Sequence, residues 1–460
     1  MESARTFTSA LGDWREDHKS LTTSLADAVR EAVLDGRISV GSPLPAERTL
    51  AAALGVSRGT VVAGLAELRD DGWLRTRHGS RSVVRLPPRL TERTAPWSVD
   101  RGQVAGATRI DLTAAVTAAP HGAYLAALER ATGRCATLLV DSGTSTAGLP
   151  SLREAVADRY TRAGLPTRPD QILITSGAMA ALHLLVDQLH DRRRPVLVEQ
   201  PTFPGALAVL RGRRARMITS PVTADGWDLD RFAETVRTDR PGLAYVMPDF
   251  HNPTGAMMSA AARSRLAALD LPVVADETMR DLDLRLSPSP ERHLTGPNVI
   301  NIGSTSKVFW SGLRVGWIRA SAARIRELLL NPLQPPLSPP PLEQLIADEL
   351  LRDISSVLAE RTAQLRAQRD HLVALLAGGD WTYTTPPGGL AVWLRLHHTT
   401  AAASTRRATR AGLMLSPGPT FAADRTLTHY LRIPFTATTD VLDHAGRILR
   451  ESAGAPEAMR

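Results

Sequence analysis

Gly303-Ser304-Thr305-Ser306-Lys307, followed closely by Gly312-Leu313-Arg314-Val315-Gly316, is the stretch on which the reading of this chain turns. Lys307 and Lys19 are its only lysines, and arginine supplies the rest of the basic charge. A primary amine condenses with an aldehyde to a Schiff base and a guanidinium does not, so a lysine kept in an arginine-dominated chain suggests amine chemistry. Pyridoxal 5'-phosphate is the aldehyde cofactor this points to. A lysine that merely follows a serine-rich turn is the bland alternative, and the neighbouring motifs bear on the choice. Ser304 and Ser306 flank the amine with hydroxyls, and Arg314 supplies a guanidinium suited to phosphate.

Upstream, short and continuously apolar runs alternate with helical ones. Ile172-Leu173-Ile174, Pro195-Val196-Leu197-Val198, Leu243-Ala244-Tyr245-Val246, Pro272-Val273-Val274-Ala275 and Val299-Ile300-Asn301-Ile302 read as strands of a parallel sheet covered on both faces. The fold class is α/β, and in such sheets ligands gather beyond the carboxyl ends of the strands. Marked residues follow those ends. Gly177 and Ala178 open a helix expected over 180–188, whose free N–H groups and dipole can hold a phosphate. Phe203, in Pro201-Thr202-Phe203, can stack on a cofactor ring, although a lone Phe is more often core. Asn252, in Asn252-Pro253-Thr254-Gly255, can donate to the ring's phenolate oxygen. Asp276 is the carboxylate placed to pair with a protonated ring nitrogen, which makes the ring an electron sink; alone it reads as a helix cap.

The first part of the chain has another character. An apolar helical face through Leu25, Ala28, Val29, Ala32 and Val33 closes at Gly36, and Pro45 opens a short helix that stops at Gly55. Ser57 caps a further helix running to about Asp71. Trp73-Leu74-Arg75-Thr76-Arg77 and Arg81-Ser82-Val83-Val84-Arg85 then form a basic hairpin around His78-Gly79-Ser80. A helix, a tight glycine turn and a second helix can place Ser57, Arg58 and Thr60 in a major groove, with the hairpin reaching the minor groove beside it. Residues 86–110 carry proline, glycine, threonine and serine without a period and read as a linker.

The chain has 460 residues, 43% hydrophobic and 22% charged, which fits a globular protein of more than one domain. Cys135 is the only cysteine, so no intramolecular disulfide is possible and a reducing, cytoplasmic setting is expected. No run approaches the ~20 apolar residues of a membrane span. Neither a membrane partner nor a metal site is expected. A net charge of +8 is compatible with a polyanionic partner but decides little alone.

These motifs carry a resemblance. Leu44-Pro45-Ala46-Glu47-Arg48 through Leu54-Gly55-Val56-Ser57-Arg58 to His78-Gly79 closely resembles the winged helix-turn-helix of GntR-type bacterial regulators. It implies DNA contacts from Arg48, Ser57, Arg58 and Thr60, with Arg75, Arg77, His78 and Gly79 in the wing. The second part resembles the fold type I, class I/II aminotransferases. That implies Lys307 as the Schiff-base lysine, Asp276 at the ring nitrogen, Asn252 at the phenolate oxygen and Phe203 stacked on the ring. Phosphate contacts are implied from Gly177, Ala178, Ser304, Ser306 and Arg314, and an effector or substrate carboxylate at Arg432, in Leu431-Arg432-Ile433-Pro434-Phe435. Together the two parts resemble the MocR subfamily of GntR regulators. The expected organisation is a DNA-binding domain over 18–85, a linker over 86–110 and a cofactor-binding domain over 111–452, with a smaller subdomain from about 345. The resemblance further implies a homodimer with each winged helix near the partner's large domain, double-stranded operator DNA as partner, and a small amino compound or the cofactor itself as signal.

The chain departs from the aminotransferase pattern in places. Asp276-Glu277-Thr278-Met279 has a thioether where those enzymes usually place a tyrosine, and a thioether cannot donate a hydrogen bond. Gly143 stands where a neighbour-subunit tyrosine is common, and His251 where many relatives have glutamine or another polar residue. An active aminotransferase with an accessory DNA-binding module is the main alternative; a DNA-binding dimer that makes no use of the cofactor is another.

Overall fold

The computed structural model describes residues 2–15, 20–75, 82–87, 109–140, 142–143, 145–287, 293–330 and 338–453. Arg77, His78 and Gly79, and nearly all of the expected linker, lie outside them.

The head contains α1 (Glu2–Leu11), α2 (Leu21–Leu34), α3 (Glu47–Leu54) and α4 (Arg58–Asp70), followed by the antiparallel pair β1 (Leu74–Arg75) and β2 (Val83–Val84). Its helix starts follow local chemistry. The Ser20 and Ser57 hydroxyls accept the backbone N–H of Thr23 and Thr60, so each serine caps a helix. Gly55, at φ 65°, ends α3 in the left-handed region where glycine is unpenalised. α3 and α4 then meet at 115°, an ordinary helix-turn-helix angle. The short helix starts at Glu47 rather than Pro45, because Ala46 is the residue in extended conformation before it. α1 has no counterpart in the sequence reading. Phe7, Leu11 and Trp14 bring it into the head's apolar core with Leu25, Val29, Leu50, Leu65 and Trp73.

Beyond the linker, β3 (Ile110–Asp111) enters the large domain. Its wide sheet contains β4 (Ile172–Thr175), β5 (Val196–Gln200), β6 (Met217–Thr223), β7 (Gly226–Trp227), β8 (Leu243–Val246), β9 (Val273–Asp276), β10 (Val299–Ser304) and β11 (Gly316–Arg319), in the order 4-11-10-9-8-5-6-7. β4, β5, β8, β9 and β10 are the five apolar runs, and every residue in them is buried. Their alternating side chains feed three clusters, Ile172 and Ile174 entering one of them. Leu173, Val198 and Ile300 pack in a second, and Leu197, Ala244 and Ala275 in a third. The sheet is mainly parallel, as expected, with β11 running antiparallel to both β10 and β4. The physical reason is length: the return from Ser304 to Gly316 holds only a turn and a short 3-10 segment, and a parallel crossover needs about a dozen residues or more. That tight return carries Lys307.

The smaller subdomain joins β12 (Trp381–Tyr383), β13 (Ala391–Leu396), β14 (Leu413–Met414), β15 (Ser416–Pro417) and β16 (Tyr430–Pro434) to the long helix Ile354–Leu376 and the helices Ala401–Arg410 and Thr439–Ala453. β12, β13, β16 and β15 form one antiparallel sheet, while β14 pairs in parallel with β3. The residues just after the linker are thereby held against the smaller subdomain, beside the carboxyl ends of the wide sheet.

The head sits against the large domain of its own chain, and the contacts explain this seating. Arg395 on β13 pairs with Glu31 and Asp35 of the head, at 3.0 Å for Asp35. Arg231 donates to the Arg37 carbonyl and the Ser39 hydroxyl, and the Leu427 N–H donates to the Leu34 carbonyl. Basic side chains of the body thus meet acids and carbonyls at the C-terminal end of α2, where the helix dipole favours cations.

Candidate functional site

A cavity of about 1140 Å³ opens where the carboxyl ends of the wide sheet meet the smaller subdomain. Lys307, Asp276, Asn252, Phe203, Ala178, Ser304, Ser306, Arg314 and Arg432, all marked in the sequence, line it. Gly177 lies immediately behind, as the residue before the helix Ala178–Leu189.

Lys307 sits in the return between β10 and β11, and its Nζ donates to the Ala115 carbonyl at 2.9 Å. Burial holds its pKa down to about 8, with the Arg432 charge acting in the same direction and Asp276 opposing it. A larger share of neutral amine at neutral pH makes it a better nucleophile than an ordinary lysine. Covalent uptake of an aldehyde cofactor by this amine is expected to accelerate with pH and level off a little above 8. An unshifted lysine would keep gaining to about 10.5. Rapid-mixing absorbance across that range checks this, and Arg432→Gln should move the plateau upward.

Asp276 ends β9. One carboxylate oxygen accepts the Tyr245 hydroxyl at 2.7 Å and the other the Thr278 N–H at 3.0 Å. Burial raises its pKa, and the hydrogen bonds from Tyr245 and Thr278 and the Lys307 charge oppose the rise. Tyr245 is itself pushed well up by burial and by the Asp276 charge, so it stays protonated and keeps donating. Met279 is buried on the cavity wall, where it supplies no donor.

The far end of the cavity gathers groups that can hold an anion. The helix Ala178–Leu189 starts at Gly177 with no side-chain cap, so its first N–H groups are not met by a side chain. Arg314 stands close enough that a Cβ on Gly177 would lie 3.4 Å from its guanidinium, and Ser304 and Ser306 bring their hydroxyls within 2.8 Å of each other. An uncapped helix start, a guanidinium and two hydroxyls can hold a phosphate. Gly316 holds this end closed, since a Cβ there would fall 2.6 Å from the Gly177 carbonyl carbon and 2.7 Å from the Ala178 nitrogen. Gly316→Ala is therefore expected to weaken cofactor affinity at least tenfold, about 1.4 kcal/mol or more, measured by equilibrium dialysis of the apoprotein. Phe203 takes its place on the wall because Gly205 leaves room for its ring, which any Cβ there would overlap. These residues fit pyridoxal 5'-phosphate.

Arg432 is the unusual member. It is buried on β16, donates to the Thr113 carbonyl and, at 3.4 Å, to the Asn252 amide oxygen, and leaves its Nε without a partner. Its pKa falls to about 10, and burial is the cause. Among the described residues no carboxylate pairs with it. The Phe421 ring lies 4.9 Å from its guanidinium carbon.

Thr113, Ala115, Tyr245, Thr278 and Phe421 belong to the site without having been marked in the sequence. The first two act through backbone carbonyls, which no side-chain pattern announces. Tyr245 lies within an apolar strand run, and Phe421 is fully buried.

In the head, Arg48, Ser57, Arg58 and Arg75 are exposed and Thr60 is half-buried. The Ser57 and Thr60 hydroxyls lie 2.9 Å apart at the start of α4, and Arg58 approaches Glu47 at 3.5 Å. The exposed edge of α4 is thus polar and basic, as a groove-facing helix start requires. Among the described residues, no single helix is long and apolar enough to cross a membrane.

Comparison with known proteins agrees with both halves. Residues 107–449 match the family described as aminotransferase class I and II, and residues 21–84 match the bacterial regulatory proteins of the gntR family. The chain is 27% identical over 432 residues to the uncharacterized HTH-type transcriptional regulator YisV of Bacillus subtilis, covering 84% of this chain and 87% of that protein. It is 30% identical over 320 residues to the probable rhizopine catabolism regulatory protein MocR of Rhizobium meliloti, covering 64% of each. In structure it resembles LysN, an alpha-aminoadipate aminotransferase from Thermus thermophilus solved with N-(5'-phosphopyridoxyl)-L-leucine. The TM-score is 0.67 at 28% identity, over 75% of this chain and 92% of that one.

Proposed function

We propose, for a chain that belongs to the class I and II aminotransferase family and carries a gntR-type head as MocR-type regulators do, that its pocket senses a carboxylate-bearing amino compound and passes that occupancy to DNA. The observation that carries this reading is Arg432. A buried guanidinium with one unpartnered nitrogen and no carboxylate beside it, in the same cavity as Lys307, is a site prepared for a carboxylate ligand.

Bound in the cavity, pyridoxal phosphate supplies an aldehyde reactive toward primary amines and a ring that withdraws electrons. The chain's own groups divide the remaining work. Gly177, Ala178, Ser304, Ser306 and Arg314 hold phosphate, Asp276 keeps a negative charge for the ring nitrogen, and Asn252 and Phe203 orient the ring. Lys307 anchors through its amine until an incoming amine competes for the same position, and Arg432 takes the ligand's carboxylate. β16, which carries Arg432, pairs with β13, which carries Arg395, the residue that grips the head at Glu31 and Asp35. One small sheet therefore touches both the ligand site and the head, and a ligand that favours one of its arrangements shifts the head with it.

Two chains acting together fit the surface. Leu139 and Val140 are 78% and 84% exposed, side by side just before the position where relatives contribute a residue to a neighbour. Such an apolar pair suits a homodimer interface, and paired heads would read paired half-sites of an operator. The site of action is then the cytoplasm. A second reading, aminotransferase activity, is favoured by the complete cofactor set and opposed by Met279.

The test is to follow DNA affinity and the visible absorbance of the holoprotein together while amino acids are added. Coupled changes with one class of amine support the sensor. Accumulation of keto acid with DNA affinity unchanged replaces it with the enzyme.

A further inference from the structure

Three short segments hold almost all of the chain's net charge. Residues 191–194, 211–216 and 237–240 contain nine arginines and two aspartates, a net of +7 against +8 for the whole chain. They lie apart in sequence, yet each leads into a strand: Arg194 precedes β5, Arg216 precedes β6 and Arg240 precedes β8. Those strands are parallel neighbours, with Val196 paired to both Met217 and Leu243. The three segments therefore meet at the amino edge of the wide sheet, away from the cavity at its carboxyl ends. Hydrogen bonds tie them together. The Val196 N–H donates to the Arg216 carbonyl at 2.8 Å, and the Arg194 guanidinium donates to the Arg240 and Pro241 carbonyls at 3.1 and 2.7 Å.

Some of these charges have local work. Arg213 pairs with Asp187, and Arg211 donates to the Ala422 and Ala423 carbonyls. Arg194 bonds carbonyls only, which leaves its charge in place. Arg192, Arg193, Arg214, Arg216, Arg237 and Arg240 are exposed, and among the described residues no carboxylate pairs with their guanidinium groups. Arg214 and Arg240 hold φ of 55° and 46°, where glycine or asparagine costs less, so these turns do not owe their arginines to the fold. The edge turns acidic past β8, where exposed Asp270 precedes β9. On the other side it approaches the head. The Thr219 hydroxyl donates to the Ser39 hydroxyl at 2.8 Å, and Thr219 follows Arg216 by three residues, about 10 Å along the strand.

We infer that this arginine edge is a second DNA-binding surface, which takes the phosphate backbone of duplex flanking the stretch read by the head. Exposed guanidinium groups in a row suit successive phosphates, and such contacts add affinity without sequence preference. DNA is the polyanion that a gntR-type head engages, and the patch begins close to where that head is seated. The inference is independent of what the cavity senses.

The experiment uses the full-length holoprotein and two duplexes from the DNA upstream of its own coding sequence, both centred on the stretch it protects from nuclease. One has about 20 base pairs, the span of two half-sites one helical turn apart, and the other about 60, which adds roughly two turns on each side. A quadruple variant, Arg192→Gln, Arg193→Gln, Arg214→Asn and Arg216→Gln, removes four charges. Asparagine is used at 214 because it tolerates positive φ, and Arg194 is kept for its bonds to the loop before β8. The parent is expected to bind the long duplex at least about tenfold more tightly than the short one. The variant should lose that advantage and bind the short duplex as the parent does, with its visible band unchanged. Its log–log salt slope on the long duplex should fall by about 0.9 for each phosphate contact removed. Equal binding of the two duplexes by the parent overturns the second surface, and so does an advantage that survives in the variant or an equal loss on both duplexes. Parent binding to phosphatidylserine vesicles that the variant loses, with both duplexes bound alike, would assign the edge to a lipid surface instead.

Discussion

Replacing Arg432 with methionine should weaken binding of a carboxylate-bearing amine by roughly 2–5 kcal/mol, a loss of about thirty- to several-thousandfold, because a buried charge partner is removed. The same change should leave the ligand-free protein as stable as before or more so. Burial has already drawn the pKa of this guanidinium down to about 10. That shift corresponds to about 3 kcal/mol of unfavourable charge burial. The bonds it makes to the Thr113 carbonyl and the Asn252 amide return part of that, at about 1 kcal/mol each. Opposite signs for affinity and stability separate a ligand-binding arginine from a structural one, for which both fall. Calorimetric titration and thermal melting of the apoprotein supply the two numbers.

Lys307→Ala should remove covalent attachment of the cofactor and the visible band that depends on it, with cofactor affinity falling at least a hundredfold, about 3 kcal/mol. The remaining affinity belongs to the groups that can hold phosphate and to Asp276, which the substitution does not touch. Because Lys307 donates only to the Ala115 carbonyl, and Asp276 keeps the hydrogen bonds from Tyr245 and Thr278 when the amine is removed, the fold should persist. Added methylamine should restore part of the band, which mere loss of packing would not allow.

Much of the inner site was legible because its side chains do unusual work at strand ends. Lys307 is conspicuous among arginines, Asp276 and Asn252 follow apolar runs, and Gly177 opens a helix. What stayed hidden has physical causes. The carbonyls of Thr113 and Ala115 reach the site only because β3 pairs with β14 across some three hundred residues of sequence, and backbone groups leave no residue signature. Tyr245 occupies an interior position of a strand whose pattern demands an apolar residue, so its hydroxyl's partner is visible only in three dimensions. The antiparallel β11 was folded into a motif read for its chemistry rather than its direction. The seating of the head on its own chain depends on Arg395, Glu31 and Asp35, three ordinary charges until their separation is known.

The most direct test of a regulator that senses amines through its cofactor is operator affinity of the holoprotein, measured as one carboxylate-bearing amine is raised while the visible band is recorded in the same cuvette. Band and affinity should change together with one midpoint, and both responses should vanish in Lys307→Ala. A band that shifts while operator affinity stays flat would contradict sensing through the cofactor.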